Sequence, residues 1–223
     1  MALFDMIAKG YDSWYDTAMG SFVDKVETEL AMGMLSIKPG MKVLDIGCGT
    51  GNFSMKLAQV GCIVTGIDIS DSMLDIAREK ADKEKLDIEY LNMDAYNLMF
   101  DDNSFDMVFS MAAFEFINDT QIAFDEMLRV AKPGAQLLIG TIHADSSWGR
   151  LYMSEEVREN SVFRYASFKT IEDLTTLKGA RLINKGECLF IPPDTPEEDI
   201  SMEKEAELSK TEGGGYICVL WQK

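Results

Sequence analysis

Residues 43–53 read VLDIGCGTGNF and join an apolar strand to a loop with glycines at alternate positions. In an open α/β sheet, ligands bind at the carboxyl ends of the strands, where such a loop lies. Gly47, Gly49 and Gly51 give the spacing G-x-G-x-G, and Asn52 stands where the dinucleotide fingerprint has its third glycine. The segment predicts a strand, a ligand-binding loop and a helix, and it departs from the dinucleotide pattern.

Apolar strands alternate with helices on both sides of this loop, from residue 41 to residue 141. Several strands are continuously apolar, as expected when helices cover both faces of a sheet. The alternation predicts an α/β fold with a doubly wound, Rossmann-like, mostly parallel sheet. The predicted strands are 41–46, 63–67, 88–91, 105–109 and 135–141, and the predicted helices are 22–35, 52–60, 70–83 and 122–130.

The alternation loosens after residue 141. Residues 143–169 contain aromatic and charged side chains without a clear period, and a Lys-Pro-Gly turn at 132–134 precedes the fifth strand. Thr170 is predicted to cap a helix, with Asp173 at the N3 position. The remaining predicted elements are a strand at 180–191, bent at Gly186, a helix at 200–210 and a strand at 216–221.

The composition narrows the range of partners. The 223 residues include 21 Lys and Arg against 38 Asp and Glu, for a formal charge of -17. Such a charge repels phosphate backbones and anionic lipids, so we expect neither nucleic acid nor stable membrane insertion. The four cysteines lack metal-ligand spacing, so no metal is expected, and free thiols indicate a cytoplasmic protein.

Three acidic residues define the ligand further. Asp45 precedes the glycines, where it would repel a pyrophosphate and favour a positively charged group. Asp68 ends the second strand, 17 residues after Gly51, and can accept hydrogen bonds from both hydroxyls of a ribose. Asp94 follows the third strand and either accepts from an adenine amine or belongs to a plain turn. Together they indicate an adenosine with a charged, phosphate-free tail, such as S-adenosylmethionine.

Five segments carry a resemblance to a known family. VLDIGCGTGNF, GIDIS, MDAYNL, FDMVFS and EMLRVAKPGAQLLIGTI, in this order, resemble the motifs of class I S-adenosylmethionine-dependent methyltransferases. The similarity covers residues 41–141 and is greatest to the small-molecule branch with the ubiquinone and menaquinone methyltransferases. It implies a seven-stranded sheet with an antiparallel last strand, and S-adenosylhomocysteine as the product. Ala135 replaces a glycine of the family's KPGG turn, which should be tolerated.

The resemblance also implies which residues contact the cofactor. The expected contacts are Asp45 and the loop of Gly47, Cys48, Gly49 and Gly51 at the methionine end, Asp68 at the ribose, Asp94 and Ala95 at the adenine, Ile69 and Met73 on the adenosine, and Ser110 near the sulfonium.

Two residues are candidates for a general base, which is needed only if the acceptor arrives protonated. His143 is the only histidine and follows the fifth strand; its alternative is a packing role. Glu115 follows the fourth strand among aromatic residues, where burial would raise its pKa, and its alternative is a local cap.

A second group of residues is expected on the acceptor side. Tyr11 and Tyr15 lie in YDSWYDT, which predicts either a lid over the ligand or a latch on the core. Trp148 is expected in the wall of the acceptor pocket, together with Tyr152, Phe163, Tyr165 and Phe168. We therefore expect a single domain made of a lid and helix at 1–40, a cofactor-binding core at 41–141 and an acceptor-side segment at 142–223.

The favoured function is transfer of a methyl group from the sulfonium to a small-molecule acceptor by in-line displacement. The alternative is a module that binds S-adenosylmethionine or S-adenosylhomocysteine without turnover and has a regulatory or partner-binding role. A nicotinamide-dependent dehydrogenase is disfavoured by Asn52 and Asp45. The acceptor atom and the oligomeric state stay open.

Overall fold

A computed structural model describes residues 2–223, and in this range seven strands form one sheet. The strand order is β3-β2-β1-β4-β5-β7-β6. The strands are β1 (Lys42–Ile46), β2 (Ile63–Asp68), β3 (Ile88–Asn92), β4 (Phe105–Met111), β5 (Ala131–Ile142), β6 (Arg181–Cys188) and β7 (Tyr216–Gln222).

The sheet is parallel from β3 through β5, and β7 pairs antiparallel with both β5 and β6. The predicted mostly parallel, seven-stranded sheet with an antiparallel last strand is therefore confirmed. The chain leaves β1 in one direction to form β2 and β3, and returns on the other side to form β4 and β5. Ligands bind at such a reversal point, and the glycine loop follows β1 there.

Helices cover both faces of the sheet. Leu44 and Ile46 of β1 pack into one apolar cluster with Phe124, whereas Val43 packs into another with Val26. This alternation along one strand is what a two-sided core requires. The helices are α1 (Ala8–Tyr11), α2 (Ala18–Met34), α3 (Asn52–Gln59), α4 (Asp71–Glu84), α5 (Thr120–Val130), α6 (Ser147–Met153), α7 (Glu155–Asn160), α8 (Ile171–Thr175) and α9 (Met202–Leu208).

The predicted capping box of α8 is confirmed, because Thr170 accepts from the Asp173 amide and Asp173 accepts from the Thr170 amide. The start of α2 was placed four residues too late. Thr17 caps this helix by accepting a hydrogen bond from the Gly20 amide at 2.9 Å. This cap lies before the residues on which the prediction of the helix was based.

Three other expectations need correction. The predicted turn at 132–134 is an irregularity within β5, where the pairing register shifts between Ala131 and Gln136. The segment 143–169 is not irregular throughout, since it contains α6 and α7. Strand β6 has its register shift between Leu182 and Asn184 rather than at Gly186. Across the described residues, no helix combines the length and apolar character needed to span a membrane.

Candidate functional site

The glycine loop is shaped by two close contacts. Gly47 has φ +70°, and a Cβ atom there would lie 2.4 Å from the Cβ of Ala113. Gly51 has φ +81°, and a Cβ atom there would lie 2.3 Å from the hydroxyl oxygen of Tyr90. Both the backbone angle and the available space therefore require glycine at these two positions. The glycines at these two positions are therefore required by contacts within the protein itself.

A cavity, called here the first cavity, opens beside this loop at the carboxyl ends of β1 to β4. The loops after these parallel strands meet at one edge of the sheet, so short stretches around 47, 68, 94 and 112 contribute together. Its lining residues are Phe4, Tyr11, Ile46, Gly47, Gly49, Ile67, Asp68, Ile69, Met73, Met93, Asp94, Ala95, Tyr96, Ala112, Ala113, Phe116 and Ile117.

Asp68 is the most firmly held polar group of the first cavity. Its Oδ2 accepts a hydrogen bond from the Gly49 amide and its Oδ1 accepts one from the Ser70 amide, both at 2.9 Å. Burial raises the pKa of this carboxyl, while the two amides act in the opposite direction. Each carboxylate oxygen has a further lone pair, so Asp68 can still accept from a ligand.

The lining of the first cavity fits an adenosine without phosphates. Its walls are mainly apolar, its two charged groups are Asp68 and Asp94, and the described lining includes no lysine, arginine or histidine. Asp94 accepts the Tyr96 amide through Oδ1 at 2.9 Å. A Cβ atom on Gly49 would enter open space, which the glycine leaves free for a ligand. Carboxylates without a nearby cation would repel a pyrophosphate.

Seven of the eleven predicted cofactor contacts line the first cavity. They are Gly47, Gly49, Asp68, Ile69, Met73, Asp94 and Ala95.

The other four lie behind the cavity wall. Asp45 is buried and its Oδ2 accepts a hydrogen bond from the Ser54 hydroxyl at 2.5 Å. Burial raises the pKa of Asp45 to about 7. Ser110 is also buried and donates to the Ile46 carbonyl at 2.7 Å. The geometry thus places both groups where they support the loop.

Cys48 and Gly51 do not line the first cavity. Cys48 packs in an apolar cluster with Leu74 and Tyr90, and Gly51 abuts the same tyrosine. Sequence reasoning assigned these positions to the ligand because they belong to the motif. The local path of the backbone, which has a positive φ at all three glycines of the loop, decides which of these residues reach the cavity.

A larger cavity, called here the second cavity, adjoins the first. Four residues, Phe4, Tyr11, Ala112 and Phe116, line both cavities, so the two spaces meet at this point. Its lining residues are Phe4, Ile7, Tyr11, Trp14, Tyr15, Val23, Glu27, Ala112, Glu115, Phe116, Ile142, Trp148, Tyr152, Asn160, Ser161, Val162, Phe163, Leu189 and Tyr216.

Seven aromatic residues form a connected series in the wall of the second cavity. Neighbouring ring centroids lie 4.2–6.4 Å apart, a spacing typical of interacting aromatic pairs. In order, the series is Tyr15, Tyr11, Phe4, Phe116, Phe163, Tyr152 and Trp148.

Of the predicted wall residues, Trp148, Tyr152 and Phe163 line the second cavity, and Trp148 is fixed by a hydrogen bond to the Ile191 carbonyl at 2.8 Å. Phe168 stacks behind Tyr152. Tyr165 does not line the cavity and is 60% exposed, because the short helical turn that carries it points it to solvent.

Glu115 lies at the inner end of the second cavity with no exposed surface. Its Oε1 accepts a hydrogen bond from the Ile142 amide at 2.7 Å, whereas its Oε2 has no partner among the described residues. Burial raises the pKa of this carboxyl, while the Ile142 amide, the nearby Thr141 hydroxyl and Lys169 act in the opposite direction. An unpartnered buried carboxylate oxygen is costly, so it indicates a place for a hydrogen-bond donor.

Glu27 of α2 is a second acid in this cavity, and sequence reasoning missed it. Burial and the nearby Glu115 and Asp24 raise its pKa, while Lys56 lowers it. It is half-buried and lines the cavity. The available signal was its position four residues after the buried Val23, which places a carboxyl on the apolar face of the helix.

His143 is not brought to either cavity in the described structure. Its ring Nδ1 lies 3.2 Å from the Gly214 carbonyl, and its backbone amide donates to the Gly215 carbonyl at 2.9 Å. These contacts attach the end of β5 to the loop before β7. Of the two candidate bases, Glu115 lines the second cavity and His143 lines neither cavity.

The N-terminal segment closes over both cavities and is fastened by polar contacts. Asp5 accepts from the Ser70 hydroxyl at 2.6 Å, and Asp12 accepts from the Thr50 hydroxyl at 2.6 Å. Lys80 forms an ion pair with Asp12 at 2.7 Å. Tyr11 lies at the junction of the cavities and Tyr15 lines the second one; a lid role for this segment stays a prediction.

The comparisons with known proteins agree with this geometry. Residues 44–139 match the family model of the methyltransferase domain. A ubiquinone biosynthesis O-methyltransferase from Coxiella burnetii is 38% identical over 104 residues, which are 47% of this chain and 44% of that protein. A demethylmenaquinone methyltransferase from Staphylococcus aureus is 35% identical over 61% of this chain and 57% of that protein. The chain thus spans about half the length of these two relatives.

Solved structures show the same fold over the whole chain. A Thermotoga maritima protein, described as a SAM-dependent methyltransferase and possible histamine N-methyltransferase, has a TM-score of 0.74 at 23% identity. The match covers 99% of this chain and 98% of that one. The resemblance expected from the sequence is confirmed at residues 44–139, which match the methyltransferase-domain model, and the chain shares its fold with a solved structure described as a SAM-dependent methyltransferase.

Proposed function

We propose that this protein transfers a methyl group from S-adenosylmethionine to a small-molecule acceptor at the junction of the two cavities. The single observation that carries the proposal is that the two cavities adjoin at Phe4, Tyr11, Ala112 and Phe116, which line both. One cavity fits an adenosine and the other is a chamber lined mainly by aromatic residues. Two adjoining spaces of this kind allow an electrophile and a nucleophile to be aligned in line.

The first cavity supplies cofactor recognition. Asp68 would accept from the ribose hydroxyls, and Asp94 with Ala95 would bind the adenine edge, while Ile69 and Met73 pack against the adenosine. Asp45 and Ser110 would act indirectly, since they hold Ser54 and the end of β1. The bound cofactor supplies a methyl group on a sulfonium that is already activated toward nucleophiles.

The second cavity supplies alignment, exclusion of water and a proton acceptor. Its aromatic walls and the N-terminal cover separate the acceptor from bulk solvent. Glu115 is the favoured general base, because its unpartnered Oε2 is buried and burial raises its pKa, which makes the carboxylate a stronger proton acceptor. We propose that His143 has a structural role instead, since it attaches the end of β5 to the loop before β7.

The relatives favour a small organic acceptor without specifying it. Two of them are named as a ubiquinone biosynthesis O-methyltransferase and a demethylmenaquinone methyltransferase, whereas the Thermotoga maritima structure is described as a possible histamine N-methyltransferase. Because they are matched over part of their length or at low identity, their acceptors are starting points for a panel.

The proposal is tested first by calorimetric titration with S-adenosylmethionine and S-adenosylhomocysteine, and then by single-turnover methyl transfer to a panel of phenols, amines and thiols. We expect both nucleosides to bind and one acceptor class to be methylated. No binding of either nucleoside would overturn the proposal. Binding without transfer to any acceptor would favour the alternative, a nucleoside-binding module with a regulatory or partner-binding role.

A further inference from the structure

We infer that the acceptor is a cationic amine attached to an apolar or aromatic group, and that the aromatic walls, Glu27 and Glu115 of the second cavity recognise its ammonium. This inference rests on the proposed function and specifies its substrate class. It is carried by the charge of the cavity, the arrangement of its aromatic rings and one unpartnered carboxylate oxygen.

Among the described residues, the second cavity is lined by acidic side chains and by no basic ones. Its described lining includes two carboxyl groups and no lysine, arginine or histidine. Lys56 acts on Glu27 from outside but is engaged with Asp24 at 2.5 Å, and Lys169 near Glu115 donates to the Ser167 carbonyl. An acceptor with a carboxylate or phosphate would therefore meet two acids and no cation in the described lining of the cavity, which is unfavourable by like-charge repulsion.

The rings of the cavity favour a cation as well as an apolar group. The faces of tyrosine, tryptophan and phenylalanine attract a cation that lies within about 6 Å of the ring centre. Tyr11, Tyr15, Tyr152 and Trp148 all contribute rings to the connected aromatic series. The same rings provide apolar surface for the rest of the molecule. An amine with an apolar substituent uses both properties.

Glu115 provides the anchoring contact. Its Oε1 is already used by the Ile142 amide, which leaves Oε2 to accept a hydrogen bond from an incoming group. A donor that also carries positive charge would offset the cost of burying the carboxylate, whereas a neutral hydroxyl would offset less of it. Glu27 faces the same space and would add to the preference for a cation.

The chemical step balances with these groups. The ammonium gives one proton to the Glu115 carboxylate and becomes a neutral amine with a free electron pair. That pair forms the new bond from nitrogen to the methyl carbon as the bond from carbon to sulfur breaks. The products are a methylated ammonium, a neutral thioether and a protonated Glu115, which releases its proton to solvent.

Three ligands with the same ring and similar length separate amine recognition from mere apolar fit. The protein is first saturated with S-adenosylhomocysteine and then titrated calorimetrically with 2-phenylethylamine, 2-phenylethanol or 3-phenylpropionate. We expect the amine to bind about tenfold more tightly than the alcohol, and the carboxylate to give no measurable heat, in line with cation–π and charge-assisted contacts.

Two isosteric substitutions test the role of the acids. Glu115→Gln and Glu27→Gln should each weaken amine binding by about tenfold while leaving the alcohol unchanged within about twofold. Glu29→Gln is the matched control, because Glu29 is an exposed acid on the same helix as Glu27. S-adenosylhomocysteine binding by each variant verifies that the protein is folded.

The outcomes are distinct. Equal affinity for amine and alcohol, tighter binding of the carboxylate, or no binding of the amine to the saturated protein would overturn the amine inference and leave the methyl-transfer proposal intact. Failure of S-adenosylhomocysteine to bind would instead overturn the proposed function and the inference with it.

Discussion

The two cavities are built in different ways. The first is formed by loops that follow successive parallel strands, so residues close to four short motifs line it. The second is formed by segments far apart in the chain, including 4–27, 112–116, 142–163, Leu189 and Tyr216. A parallel sheet collects strand ends at one edge by its topology. No comparable rule collects the second set, which depends on how the N-terminal cover and α6 pack.

The largest expected effect is on the stability of the first region. Gly51→Ala should lower the free energy of unfolding by about 3 kcal/mol, since it combines a left-handed backbone angle with a clash against Tyr90. Urea denaturation measures this loss. Gly33→Ala is the control, because Gly33 lies in α2 with open space around it, and this change should be neutral or stabilising.

A second substitution sharpens that result. The hydroxyl of Tyr90 is buried without a partner among the described residues, so Tyr90→Phe alone should cost little or should stabilise. In the double variant, removal of this hydroxyl should restore about 1 kcal/mol of the Gly51→Ala loss. Strictly additive effects would show that the clash is not the cause.

The next effect concerns ligand binding in the first region. Asp68→Ala should weaken S-adenosylhomocysteine binding by about 100-fold, about 2.7 kcal/mol, because it removes a ribose acceptor and the anchor of the Gly49 amide. Calorimetry measures the affinity. Asp75→Ala, an exposed acid on α4, is the control and should bind normally. Unchanged affinity of the Asp68 variant would remove the basis for the ribose assignment.

We expect the free energy of unfolding to depend on pH through Asp45, which lies behind the wall of the first cavity. Burial raises its pKa in the folded protein to about 7, above the value of about 4 in an unfolded chain. The unfolded chain then releases the proton more readily, so this residue lowers stability as pH rises from about 4 through 7. Relative to the wild type, Asp45→Asn should gain on the order of 2 kcal/mol of unfolding free energy between pH 5 and pH 8.

Asp106 provides the control with the opposite sign. Its hydrogen bond and ion pair with Lys132 lower its pKa, so its contribution is complete above pH 5 and is lost only at lower pH. The difference between the wild type and Asp106→Asn should therefore be constant from pH 5 to pH 8. A flat profile for Asp45→Asn as well would contradict the raised pKa of Asp45.

The smallest effect concerns the cover shared by both regions. Asp12→Ala removes contacts to Thr50 and Lys80 that are partly exposed, so we expect only about a threefold loss in S-adenosylhomocysteine affinity. Asp16→Ala, an exposed acid in the same segment, should have no effect. A loss equal to that of Asp68→Ala would show that the cover is as important as the first cavity itself.

Sequence reasoning predicted the sheet and most of the first cavity because their signals are local. Apolar runs, the alternate glycines and the acid at the end of β2 each determine a structure within a few residues. Asp45, Cys48, Gly51 and Ser110 do not line the first cavity, since a motif does not reveal which of its residues face the cavity, and their direct contact with a cofactor stays a prediction. The sequence-based prediction of Trp148 as a wall residue depended on its aromatic character, and the structure places it in the second cavity.

The sequence alone determined the methyltransferase fold of the core, because hydrophobic period and glycine spacing are properties of consecutive residues. Only the tertiary structure shows that Glu27 and Glu115 line the same aromatic cavity and that His143 does not line it. Glu27 and Glu115 are 88 positions apart in sequence, and their proximity arises from helix packing against the sheet. Long-range packing of this kind leaves no pattern in consecutive residues. The cofactor region can therefore be predicted from the sequence, whereas the acceptor region can be identified only from the tertiary structure.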